Sequence, residues 1–198
     1  MAAVRKEFGD IMLQVDANSA YTLEDVEIFK ALDEFNMLLI EQPLAHDDIV
    51  DHRHLQKVIK TPICLDESIH SAEDARKAIE LGSCGNINIK VARVGGLTEA
   101  KKVQDVCAEH GIPVWGGGML DCGIARAHNI AIASLPNYLI PNDIPASDRY
   151  YAEDIVTPST FIDNRGMIPV PNEVPGIGFA LNMEVVNQLT KNIIELKR

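Results

Sequence analysis

PICLDESIHSAEDARKAIELGSCGNINIK, residues 62–90, contains one whole structural unit and the first strand of the next. Pro62–Leu65 is short and apolar on both faces, which is how a strand buried in a parallel sheet reads. Ser71–Leu81 opens with Ser71 and Asp74, turns Ala72, Ala75, Ala78 and Ile79 to one side, and stops at Gly82. A serine at the start and a glycine just past the end are helix boundary signals. Ile87–Ile89 is then a second apolar run, closed by Lys90. The stretch is a strand, a helix and a strand.

The same pattern extends in both directions. Short apolar runs recur at Ile11–Val15, Met37–Ile40, Ile112–Trp115 and Tyr138–Ile140. Amphipathic stretches lie between them: Thr22–Phe35 with a near capping box at Thr22 and Asp25, Thr98–His110 before Gly111, and Asp121–Leu135. The positions closing the six runs are 16, 41, 66, 90, 116 and about 141, so the step stays between 24 and 26 residues. A fixed step with one strand and one helix per unit defines a (β/α) array. Right-handed crossovers place all the strand ends on one edge.

A complete eight-unit barrel takes ~250 residues. The expected fold is therefore α/β: an incomplete TIM-type (β/α) barrel of about six parallel strands over residues 1–153. A C-terminal tail, residues 154–198, follows, with a hairpin around FIDNRGMIPVP and PGIGF and a helix near Met183–Leu196. Ala2–Phe8 reads as a helix with no strand before it, so two units are expected to be missing at the front.

Composition narrows the function. The chain has 198 residues, 46% of them hydrophobic and 24% charged, and a net charge of −11. An acidic surface is repelled by nucleic acid and by anionic membranes, so neither is expected as a partner. No apolar run approaches the ~20 residues of a membrane span. Cys64, Cys84, Cys107 and Cys122 are scattered without a CxxC pair. They read as reduced thiols of a cytoplasmic protein.

Chemistry concentrates on one rim. Asp16, Glu41 and Asp66 close three consecutive strands, in LQVDAN, LIEQP and CLDES, and Lys90 closes the fourth. Adjacent strands lie ~4.8 Å apart, so three acids at equal register would line an arc and meet around one ion. All-oxygen ligands suit a hard cation, Mg²⁺ with Mn²⁺ as its substitute. Glu67, pointing away in simple alternation, and Asn18 read as residues that support the ligands. An ammonium beside a divalent ion is destabilised, which suits Lys90 to moving a proton next to a carboxylate. Gly116–Gly118 lacks both nucleotide-loop patterns. His52 and His54 diverge on a helix, and Arg126 and Arg149 read as surface charges.

DAN, EQP and LDES at these spacings, followed by NIKVARVGG, VWGGGML, SDRYYAEDI and PGIGF, resemble the muconate-lactonizing branch of the enolase superfamily. Within it they are most similar to the group of o-succinylbenzoate synthases and N-acylamino acid racemases. The resemblance implies Mg²⁺ on Asp16, Glu41 and Asp66, with Lys90 as the sixth-strand lysine that stabilises an enediolate or exchanges a proton. It implies Gly117, Gly118, Met119 and Leu120 as lining of the pocket for a small carboxylate substrate. The reactions implied are dehydration to o-succinylbenzoate in menaquinone synthesis, or racemisation of N-acylamino acids.

Two family features have no counterpart here. Nothing before Asp16 matches the K-x-K pair of the second barrel strand, and there is no N-terminal capping domain. The tail 154–198 would dock on that cap. The expectation is a chain that is silent or nearly so alone: a non-catalytic fragment, or half of a split enzyme completed by an N-terminal segment. Open sheet edges make a homo-oligomer a further expectation. Pro141–Pro145, PNDIP, lacks the D-x-D that dipeptide epimerases use for the substrate ammonium.

Overall fold

The computed structural model describes residues 1–196. The chain divides into two compact units. One comprises Met1–Gly117 with Pro136–Pro141, the other Gly118–Leu135 and the chain from Asn142 onward.

The first unit is built on a five-stranded parallel sheet, β1 (Gln14–Asp16), β2 (Leu39–Glu41), β3 (Ile63–Leu65), β4 (Asn86–Asn88) and β5 (Val114–Trp115), hydrogen-bonded in chain order. β2, β3 and β4 are buried at every residue, as runs apolar on both faces require. β1 stands at the end of the sheet and is half exposed. The sixth run, expected as a strand at Tyr138–Ile140, contributes one isolated parallel bridge from Tyr138 to Val114.

The connections are helical. They include α1 (Ala2–Phe8), α2 (Val26–Leu32) flanked by 3₁₀ turns, α3 (Asp51–Gln56), α4 (Ala72–Leu81) and α5 (Leu97–Glu109). The Thr22–Asp25 capping box forms, Ser71 Oγ accepts from the Asp74 amide, and Gly82 ends α4 in the left-handed region. α5 begins one residue earlier than Thr98 suggests, because Gly96 occupies the cap. Phe29, Leu55, Ala75, Ala78, Val103 and Cys107 bury the inner faces of these helices, and α4 packs on α5. All four cysteines are free thiols.

The second unit contains α6 (Gly123–Ala133), the antiparallel pair β6 (Val156–Thr157) with β7 (Ala180–Leu181), and α7 (Met183–Leu189). α7 ends seven residues before Leu196, short of the helix expected there. Arg126 is not a surface charge. It is fully buried among Ala127 and Ile130 of α6, and is neutralised by Asp154 at 2.8 Å. Asp154 also accepts from the Gly123 amide and the Ser147 hydroxyl. Among the described residues, no helix is long and apolar enough to cross a membrane.

Candidate active site

The strand ends carry the expected groups, and their register decides how they meet. Asp16 pairs with Glu41, and Glu41 with Cys64. Equal sequence spacing therefore does not become equal register: Asp66 stands two residues beyond the position level with Glu41. Residues two apart on a strand share a face, so Asp16, Glu41 and Asp66 remain on one side of the sheet with a one-pleat step at β3. Leu65 pairs with Ile87, which puts Asn88 level with Asp66 and Lys90 one pleat further. Such stagger accompanies strand tilt in barrels.

Each acid has its own surroundings. Asp16 is exposed, and Asn18 fills both its oxygens, the backbone amide donating at 2.9 Å and the side-chain amide at 2.7 Å. Glu41 is only 3% exposed, and its donor is the neutral amide of Asn88 at 2.7 Å. Burial pushes the Glu41 carboxyl up to about 7 against the pull of that hydrogen bond, and the charges of Asp16 and Glu67 push the same way. Asp66, equally buried, is held by two cations: Lys90 Nζ donates to Oδ2 at 2.5 Å and Arg93 donates to Oδ1. Arg93 also donates to the carbonyls of Ile69 and Asn88. Glu67 Oε2 is buried with no hydrogen-bond partner.

Gly117 belongs to the same constellation. Its amide donates to Asn88 Oδ1 at 2.8 Å, and a Cβ there would collide with the Asn88 amide and come within 2.8 Å of Lys90 Cε. Gly118, Met119 and Leu120 lie in the second unit. Gly118 sits tight against the Asp143 carbonyl and Pro145, while Met119 and Leu120 are exposed, Leu120 accepting from the Tyr151 hydroxyl.

As they stand, no three His, Cys, Asp or Glu side chains among the described residues form a group that could hold a metal. Asp66 is turned to Lys90 and Arg93, and Asp16 to Asn18. The donor set nevertheless fits a hard divalent cation. The charge of Glu67 raises the Glu41 carboxyl, and Glu67 Oε2 is buried without a hydrogen-bond donor. A cation beside these carboxylates would offset their mutual repulsion.

Three site residues escaped the sequence reading. Asn88 has a legible signal, since it shares the Lys90 face of NINIK at i, i+2. Gln42 and Arg93 stand in the EQP and NIKVARVGG motifs, but the bonds that bring them to the site, to Ser68 and to Asp66, span more than twenty residues.

The parallel α/β sheet, with acids and a lysine at its strand ends, is similar to the barrel portion of enolase-superfamily proteins. The chain belongs to the enolase C-terminal domain-like family, whose model matches residues 1–185. It is 58% identical over 186 residues to o-succinylbenzoate synthase of Bacillus subtilis strain 168, covering 94% of this chain and 50% of that protein. It is 53% identical over 189 residues to an N-succinylamino acid racemase of an Amycolatopsis species, covering 95% and 50%. A Listeria innocua enolase-superfamily structure superposes with a TM-score of 0.91 at 49% identity, over 96% of this chain and 51% of that one. A dipeptide epimerase of Enterococcus faecalis, solved with Mg and L-Leu-L-Tyr, matches with a TM-score of 0.80 at 27% identity, over 90% and 51%. The chain spans about half the length of the curated relatives it matches.

Proposed function

We propose that this chain carries the magnesium and Lys90 portion of an o-succinylbenzoate synthase active site. The observation that supports it is the row Asp16, Glu41, Asp66 on one face of adjacent strands, with Lys90 bonded to the last of them. In this reading Asp16, Glu41 and Asp66 hold Mg²⁺, or Mn²⁺ in its place. Glu67 and Asn18 support them. The ion supplies electrophilic stabilisation of the substrate carboxylate as its α-carbon loses a proton.

The reaction removes that α-proton and the neighbouring hydroxyl from 2-succinyl-6-hydroxy-2,4-cyclohexadiene-1-carboxylate, giving o-succinylbenzoate and one water, a step of menaquinone synthesis. Lys90 presents its ammonium to the carboxylate as negative charge builds there. Arg93 donates to Asp66 Oδ1, so a positive charge stays beside that carboxylate when Lys90 moves to substrate. Asn88 keeps Glu41 aimed and is itself fixed by the Gly117 amide. Gly117, beside Asn88 and Lys90, lines the pocket.

A second reading, racemisation of N-acylamino acids, is favoured by the 53% identity to the Amycolatopsis racemase. Lys90 then gives and takes the α-proton on one face of the substrate. Either chemistry needs a proton-transferring partner, and residues 1–198 hold no K-x-K pair ahead of Asp16. We therefore assign the chain low turnover by itself, in a reducing cytoplasm that keeps its thiols free. Mixing it with the N-terminal half of the B. subtilis synthase is expected to give Mg²⁺-dependent dehydration that Lys90→Ala abolishes. Activity indifferent to Mg²⁺ or to Lys90 would sink this reading, and racemisation without dehydration would select the second.

A further inference from the structure

We propose that Gln42 is a positioning residue that sets the spacing between the Glu41 and Asp66 carboxylates. The inference rests on the reading of those carboxylates as metal ligands. Gln42 follows Glu41 directly, is fully buried, and holds a left-handed backbone at φ 33°, a conformation a non-glycine residue keeps only when its surroundings enforce it. The enforcement is visible on both of its ends.

Its backbone ties three strand-end loops together. The Gln42 amide donates to the Cys64 carbonyl at 2.9 Å, and its carbonyl accepts from the Ser19 amide at 2.8 Å. Its side chain then reaches across the gap to the third acid. Oε1 accepts from the Asp66 amide at 2.9 Å, while Nε2 donates to Ser68 Oγ at 2.6 Å and to the Ala45 carbonyl at 2.9 Å. Ser68 Oγ in turn donates to the Asp48 carbonyl at 2.6 Å, which ties the loop after β3 to the loop after β2. One amide group therefore grips the loop after β3 at Asp66 with its acceptor, and with its donor holds that loop at Ser68 and its own loop at Ala45. No other side chain type of this length offers both at once. A leucine would fill the space and grip neither. A glutamate would keep the Asp66 contact and set an acceptor against the Ala45 carbonyl.

The experiment uses the full chain. Amide hydrogen exchange and Mn²⁺ titration by electron paramagnetic resonance are compared for wild type, Gln42→Leu and Ser68→Ala. Gln42→Leu is expected to speed exchange at Asp66 about tenfold and to weaken Mn²⁺ binding about tenfold, with exchange at Ile40 and Ile87 in the sheet unchanged. Unchanged exchange at Asp66 in the folded variant overturns the proposal. So does Mn²⁺ binding as tight as that of wild type. Should Gln42→Leu not fold, Ser68→Ala removes the Gln42–Ser68 bond together with the Ser68 tie to the Asp48 carbonyl, leaves the Gln42–Asp66 bond, and is read by the same criteria. Faster Asp66 exchange in a chain whose wild type binds no Mn²⁺ removes the metal reading and supports the positioning one.

Discussion

Glu41 and Asp66 are both carboxylates at strand ends and both nearly inaccessible, yet their neighbours differ in kind. Asp66 has two cations; Glu41 has an amide. With its carboxyl raised to about 7 from an ordinary 4.5, the folded chain binds a proton at Glu41 that the unfolded chain has released between those values. Stability from this group is then full below about pH 4.5 and lost as pH rises through about 7, a change on the order of 3 kcal/mol. Urea unfolding at pH 5 and pH 8 is expected to show that loss, to show less of it with Mg²⁺ present, and to show none in Glu41→Gln. Gly117→Ala tests the packing around the same group. Its methyl must displace the Asn88 amide, and overfilling of this kind costs about 1–3 kcal/mol. A lowered urea midpoint is the expected result; an unshifted one would mean that Asn88 moves freely.

Among the elements, the short strands could not hold themselves in place without side-chain clamps from the connections. Asp33, in the turn after α2, accepts from the Lys60 amide at 2.8 Å, the Thr61 amide at 2.8 Å and the Thr61 hydroxyl at 2.7 Å. Burial alone would raise its carboxyl, but those hydrogen bonds outweigh it and hold Asp33 below the usual carboxylate range. Arg5 similarly binds the carbonyls of Gly9, Ile11, Phe35 and Asn36, tying α1 to the turn ahead of β2. Asp33→Ala leaves two backbone donors without their acceptor and is expected to cost about 2 kcal/mol. Thermal melts that match wild type would contradict it. The carboxylate contribution of Asp33 is present above about pH 4 and falls away on acidification, so the gap between variant and wild type should close at low pH.

For the whole molecule, the sheet order leaves β1 at an end, with Gln14 and Asp16 exposed. An end strand offers unpaired backbone groups to another chain. Light scattering is expected to give a molar mass above that of one chain, falling when Gln14→Pro removes an outward-facing amide from that strand. A monomer at all concentrations would show that the edge is already protected.

The sequence alone determined the repeating strand–helix array, because a strand buried on both faces must be a short apolar run, and helices must carry their own caps. It also determined which acids and which lysine close the strands, since those are local facts of position. Only the tertiary structure decided that Asp66 sits one pleat beyond Glu41, that Tyr138 contributes a bridge and no strand, and that Arg126 is interior. It alone brought Gln42, Asn88 and Arg93 to the site. These depend on register and on partners distant along the chain, and hydrogen bonds and charge pairs across such distances leave no mark on local periodicity.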